Sequence, residues 1–204
     1  MKFKQMSQLI PEQESENFKI VHHIATESDI RGLKLRDAIQ GRIEYLGFEP
    51  GTYLELRTKH SLFCNVVMSD TPMELRTNLD AIYNSNGNVL IGGLGIGAIL
   101  LLIQERPEVK SVIVIEKYKE IIEMVKPFLP LNEKVKIIEA DIFEWLPEKN
   151  NKFDTIYFDI WNNVCSDNLE DMKILKKRFR KFLNKENSEK WMGCWREYDC
   201  RRAR

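Results

Sequence analysis

The sequence predicts an α/β fold: a doubly wound, mostly parallel sheet, C-terminally shortened, preceded by a small helix plus β-hairpin region. Two observations predict it. From Val89 onward, short apolar strands alternate with single helices, the pattern of a parallel sheet covered on both faces. Within that stretch, Val89-Leu-Ile-Gly-Gly-Leu-Gly-Ile-Gly97 runs straight into the apolar segment Ala98-Ile-Leu-Leu-Leu-Ile103. Such a strand–glycine–helix junction presents free amide N–H groups to a ligand. Right-handed crossovers then place the ligand site at the carboxyl ends of the strands, where the strand order reverses.

In the first third, residues 30–46 carry apolar side chains at helical spacing and stop at Gly47. Two alternating runs follow, 52–57 and 62–68, joined by Thr-Lys-His-Ser, and read as a β-hairpin with His60 exposed at its tip. His22-His23 shows no partner in the sequence. In Asp70-Thr-Pro-Met-Glu74, Thr71 suits an N-cap, Pro72 the first helical position and Glu74 a capping box, which accounts for Asp70 and Glu74 without a role at a pocket. The expected division is an N-terminal region over 1–69 and a ligand-binding core over 70–204.

In the core, residues 89–91 form a strand, and a helix runs from 97 to 105, stopped by Pro107. Strand 111–116 precedes a helix over 118–128 that buries Ile121, Ile122, Val125 and Phe128. Strand 134–139 leads into a short amphipathic turn at 142–145. Strand 154–159 is followed by a helix over 169–183, which buries Leu169, Met172, Leu175, Phe179 and Phe182 behind a solvated basic stripe. Residues 191–195 form a fifth strand. The few residues after it leave no room for a further strand pair, so the edge needs cover from the hairpin or a second subunit, and a homo-oligomer, a dimer first, is expected.

Composition removes several classes. Lysine plus arginine and aspartate plus glutamate number 31 each, so the net charge is zero and gives no support to a nucleic-acid or membrane surface. Cys64, Cys165, Cys194 and Cys200 show neither a Cys-x-x-Cys pair nor a histidine at metal spacing, which fits reduced thiols in a cytoplasmic protein and no metal. The polar N-terminus lacks a secretory signal, and the apolar run 89–103 is shorter than the ~18 residues of a membrane span.

Carboxylates at successive strand ends narrow the ligand. Glu116 closes its strand where it can accept both hydroxyls of a ribose, as dinucleotide and S-adenosylmethionine sites both require. Gly93-x-Gly95-x-x-Ala98 also meets the looser dinucleotide pattern, so the glycines alone do not separate the two. Asp141 follows the third core strand, where it can accept an exocyclic adenine amine. Asp159 ends the fourth beside the glycine turn, placed for a cationic amino group or a nucleophile. Singly, each is also explained as an N-cap or a solvated strand end.

Over residues 85–195 the chain resembles the class I S-adenosylmethionine-dependent methyltransferases. The resemblance rests on Ile91-Gly-Gly-Leu-Gly-Ile-Gly97, Val112-Ile-Val-Ile-Glu116, Glu139-Ala-Asp141-Ile-Phe143 and Phe153-Asp-Thr-Ile-Tyr-Phe-Asp159. Within that superfamily the spacing is most similar to the spermidine synthase-like branch and to small phage and bacterial methyltransferase-type proteins. The resemblance implies S-adenosyl-L-methionine as cofactor, with Gly93, Gly95 and Gly97 beneath the methionine part and ribose. It implies Glu116, with Lys117 beside it, at the ribose, and Asp141 and Ile142 at the adenine. Asp159 falls where substrate meets the sulfonium, as cofactor-binding and catalytic residue, and Trp161 is either a wall for a flat or cationic substrate or plain core.

Departures shape the function. Ile91 stands where an acidic residue often precedes the first glycine, and Ile96 and Asp159-Ile-Trp-Asn162 replace the motifs of the aminopropyltransferases. No Asn/Asp-Pro-Pro-Tyr/Phe motif and no Pro-Cys pair is present, which argues against DNA as the acceptor. The expected function is a methyltransferase-like enzyme acting on a small molecule or a protein. The alternatives are a spermidine synthase-like aminopropyltransferase, a non-catalytic adenosyl-binding module, and a NAD-dependent oxidoreductase, which would use Asp141 differently and usually carries a further catalytic domain.

Overall fold

The computed structural model describes residues 5–41, 43, 45, 47–60 and 65–203. Its centre is a parallel sheet of β5 (Gly87–Gly92), β6 (Val109–Glu116), β7 (Val135–Glu139), β8 (Thr155–Phe158) and β9 (Trp191–Cys194), in the order β7-β6-β5-β8-β9. From β5 the chain moves outward to β6 and β7, then crosses back to β8 and β9 on the other side. The reversal therefore falls between β5 and β8, and a crevice opens at their carboxyl ends. The central strands are apolar on both faces: every residue of β8 is buried, whereas the outer β7 is only partly covered.

Side-chain alternation sends these strands into two cores. Val89, Ile91, Val112, Val114 and Tyr157 pack on one face against α4 (Ala98–Gln104) and α5 (Lys119–Val125). Leu90, Ile115, Ile156 and Phe158 pack on the other against α6 (Asn168–Phe179). All seven residues of α4 are buried, as its unbroken apolar sequence requires. Helix α7 (Glu197–Arg202) follows β9 through Arg196, whose φ of 48° is left-handed.

A second sheet precedes the first: β1 (Gln13–Glu14), β2 (Phe18–Ala25), β3 (Gly51–Thr58) and β4 (Val66–Ser69), antiparallel in that order. Its Phe18, Ile20, Leu54, Leu56 and Met68 belong to the same cluster as β5 and α4, so the sheet lies against the parallel core. The expected hairpin is β3 and β4, in register Leu56 opposite Met68. Residues 62–64, Cys64 among them, lie outside the described residues. The sheet is larger than a hairpin because β2 pairs along its whole length with β3, and His22 Nε2 finds a partner in the Ile10 carbonyl at 2.8 Å.

Two local expectations are corrected. The first helix is α1 (Glu27–Gln40), not 30–46. Thr26 and Asp29 form a capping box at its start, and Gly41, at φ 63°, ends it one glycine earlier than Gly47. Of the expected remainder, residues 42, 44 and 46 lie outside the described residues. At α2 (Pro72–Thr77), Thr71 and Pro72 take the expected positions, but no side chain caps the helix: the Thr71 hydroxyl pairs with Ser69 Oγ at 3.0 Å instead. A short α3 (Leu79–Asn84) then leads into β5.

Asp70, 2% exposed, works as a staple. Its Oδ2 accepts from the Met6 N–H at 2.8 Å and its Oδ1 from the Leu54 N–H at 2.7 Å, tying the N-terminal turn and β3 to the segment entering α2. D70A leaves two buried amides without acceptors, and urea unfolding is expected to show a loss of about 2–5 kcal/mol; a loss under 0.5 kcal/mol contradicts the staple.

Candidate functional site at the switch point

The site is built around the peptide between Gly92 and Gly93. The Gly93 N–H donates to the Ile115 carbonyl of β6 at 2.8 Å, and the Gly92 carbonyl accepts from the Asp159 N–H beyond β8, also at 2.8 Å. At φ 100°, Gly93 lies so close to the Asp159 carbonyl oxygen that a Cβ would collide with it. Gly95, at φ 52°, meets the Met68 side chain in the same way, and the Met68 sulfur accepts the Ile96 N–H at 3.5 Å. The glycines are thus demanded first by the protein's own packing.

These elements enclose a cavity of about 280 Å³, at the lower edge of the usual range for small-molecule sites. Gly93, Gly95, Glu116, Lys117, Asp141, Ile142, Asp159 and Trp161 all line it, so residues expected from separate strand ends converge. Gly97 is not among the lining residues and abuts Leu129. Val67 and Met68 of β4, Tyr118 and Asp171 complete the walls without having been expected. The alternation of the β4 sequence marked the strand, but nothing in it pointed towards the glycine turn.

Each carboxylate is held differently. Glu116, 5% exposed, accepts from the Leu94 N–H through Oε2 and from the Tyr118 N–H through Oε1, both at 2.8 Å. Burial pushes its carboxyl above the ordinary range while these amides pull it back. One lone pair on each oxygen remains for a ligand donor. Asp141 Oδ1 accepts from the Phe143 N–H at 2.9 Å, and Oδ2 pairs with Lys117 Nζ at 2.9 Å. The lysine holds the Asp141 carboxyl below its usual range, and with Lys117 largely exposed this pair contributes little stability by itself.

Asp159 is the exception. It is 9% exposed, and its Oδ2 has no hydrogen-bond donor among the described residues. The indole Nε1 of Trp161 is buried and equally unpaired. Burial drives the Asp159 carboxyl well above the normal range, and the charge of Glu74 drives it further. Glu74 itself is half-buried and pushed up to about 7, with Arg196 as the opposing positive charge. Behind them, Tyr157 donates its hydroxyl proton to Asn78 Oδ1 at 2.7 Å. Glu74 therefore belongs to the surroundings of the site and not to a helix cap.

No protein-family model and no curated protein matches the sequence. Among solved structures, the N-methyltransferase NodS from Bradyrhizobium japonicum is 19% identical, over 54% of this chain and 58% of that one, with a TM-score of 0.39. Precorrin 8W decarboxylase from Methanobacterium thermoautotrophicum is 21% identical, over 58% and 61%, with a TM-score of 0.43. A dimethyladenosine transferase from Plasmodium falciparum is 21% identical, over 55% and 38%, with a TM-score of 0.41. The matched regions span less than two thirds of each of these proteins. The α/β architecture rests on the strand order and register described above.

Two outcomes follow from this geometry. G95A is expected to destabilise the fold through its collision with Met68, and M68A/G95A to recover part of that loss, leaving the cost of the left-handed backbone; a double-mutant cycle should show at least about 1 kcal/mol of coupling. Additive losses contradict the contact. For Glu74, an acid whose folded pKa of about 7 exceeds the model value of 4.5, the folded state binds more protons between those values, so stability falls as pH rises across that window. E74Q removes the penalty: its stability relative to wild type should rise by about 2–3 kcal/mol from pH 4 to pH 8. A pH-independent difference contradicts the assignment.

Proposed function

We propose that this chain is an S-adenosyl-L-methionine-binding, methyltransferase-like enzyme acting on a small-molecule acceptor. The observation that carries the reading is the pairing, across one cavity at the switch point, of a carboxylate fixed by the glycine-turn amide with a buried carboxylate that has no donor. The residues present fit the cofactor: Glu116 keeps acceptor capacity for a ribose diol, and Asp141 and Ile142 stand at the adenine end beside Phe143. The unpaired Asp159 oxygen needs a donor that the protein does not provide.

When bound, the cofactor supplies a sulfonium methyl carbon that is already electrophilic. The chain's contribution is then alignment and exclusion of water. Glu116, clamped by two amides, orients from one side without rearranging on binding. Met68 and Val67 close the cavity from the N-terminal sheet, and Ile160 and Trp161 wall the acceptor side. Asp159 faces that side, where a carboxylate can take a proton from the attacking atom.

Isothermal calorimetry with S-adenosylhomocysteine and NAD tests the reading. Wild type should bind the former and not the latter, and E116Q should weaken the former by roughly tenfold to a hundredfold, the value of hydrogen bonds to a charged group. Binding of NAD alone, or an E116Q affinity equal to wild type, contradicts it.

A further inference from the structure

We infer that the acceptor end of this cavity, at Asp159, is a subsite for a small ammonium group, so that the methyl acceptor is an amine; this rests on the reading just proposed. The cavity walls carry four carboxyl side chains, Glu116, Asp141, Asp159 and Asp171, against the single cation Lys117 among the described lining residues. Lys117 is engaged with Asp141 at 2.9 Å. An excess of acids alone is common on solvated surfaces. Here one of them is more than nine-tenths buried, lines the cavity, and has an oxygen with no donor.

The protein does not supply the missing partner. Trp161, the nearest unpaired donor in sequence, has its own N–H unsatisfied, so it does not serve Asp159. The positive charge of Arg196 acts on Glu74, and Tyr157 gives its proton to Asn78. Glu74, half-buried behind Asp159, adds a second negative source, so a cation gains more here than a neutral hydroxyl does. Ile160 and the Trp161 ring supply apolar wall for the carbon chain bearing the amine.

The step balances. The ammonium gives one proton to the Asp159 carboxylate, which burial and Glu74 make a stronger base than an ordinary aspartate. The freed nitrogen lone pair attacks the sulfonium methyl carbon. The new C–N bond forms as the C–S bond breaks, and the bonding pair stays on sulfur, which leaves as a neutral thioether. The product is an N-methylammonium ion, with its proton count closed by the one held on Asp159.

The test is a ¹H–¹⁵N NMR titration of the full chain with n-butylammonium and with n-butanol, first alone and then with saturating S-adenosylhomocysteine. The amine should bind at least about tenfold tighter than the alcohol in both series, the margin expected of a charge-assisted hydrogen bond, and D159N should erase that margin. Equal affinities in wild type overturn the proposal without any variant. Loss of the amine preference once S-adenosylhomocysteine is bound also overturns it, because Asp159 would then serve the cofactor's own ammonium. If S-adenosylhomocysteine does not bind, the adenosyl reading fails while the ligand-free series still reports on the subsite.

Discussion

The Gly92–Gly93 peptide is held on both sides at once. Its N–H is fixed to β6 through the Ile115 carbonyl and its carbonyl to the segment after β8 through the Asp159 N–H. Both bonds hold only if the chain passes Asp159 with no Cβ, at a φ that side chains rarely adopt. Everything else at the crevice inherits its position from this clamp. The turn that follows aims the Leu94 N–H at Glu116, which closes β6, and Glu116 in turn receives the Tyr118 N–H at the entrance to α5. Asp159 is brought to the cavity by the same bond that fixes the glycine.

Two buried aspartates show how differently one residue type is used. Asp70 has an amide on each oxygen and fastens three segments together. Asp159 has a buried oxygen with nothing on it. A folded protein satisfies the great majority of its buried polar atoms, and an exception at the carboxyl end of a central strand, facing a cavity, is where a ligand completes the set. The contrast matters because burial raises the affinity of both carboxyls for protons. What separates a staple from a site is the hydrogen-bond count.

Legibility in the sequence followed the range of the interactions involved. The parallel strands and their order of appearance were readable because each is a short apolar run flanked by its own helix, and because Gly93 and Gly95 mark a turn that local sterics demand. Glu116, Asp141 and Asp159 were readable as strand ends, and topology then brought them together. The N-terminal region was harder. In β2, Phe18 and Ile20 alternate correctly, but His22-His23 interrupts the pattern, and the strand is fixed by its long pairing with β3. Gly41 and Gly47 are both credible helix stops, and Ile43 favours the later one on spacing alone; the left-handed cap forms at the first. Glu74 fits a capping box in one dimension, yet its surroundings are set by Asp159 and Arg196, distant in the chain. Val67 and Met68 reach the cavity only because the second sheet lies on α4 and the glycine turn.

The central claim is that an adenosyl group lies across this turn with its ribose on Glu116. A crystal structure of the protein soaked with S-adenosylhomocysteine tests it most directly. The account predicts both ribose hydroxyls within hydrogen-bond distance of the Glu116 carboxylate, with the thioether sulfur directed towards Asp159. Density for the ligand elsewhere on the surface, with Glu116 contacting only the Leu94 and Tyr118 amides, contradicts it.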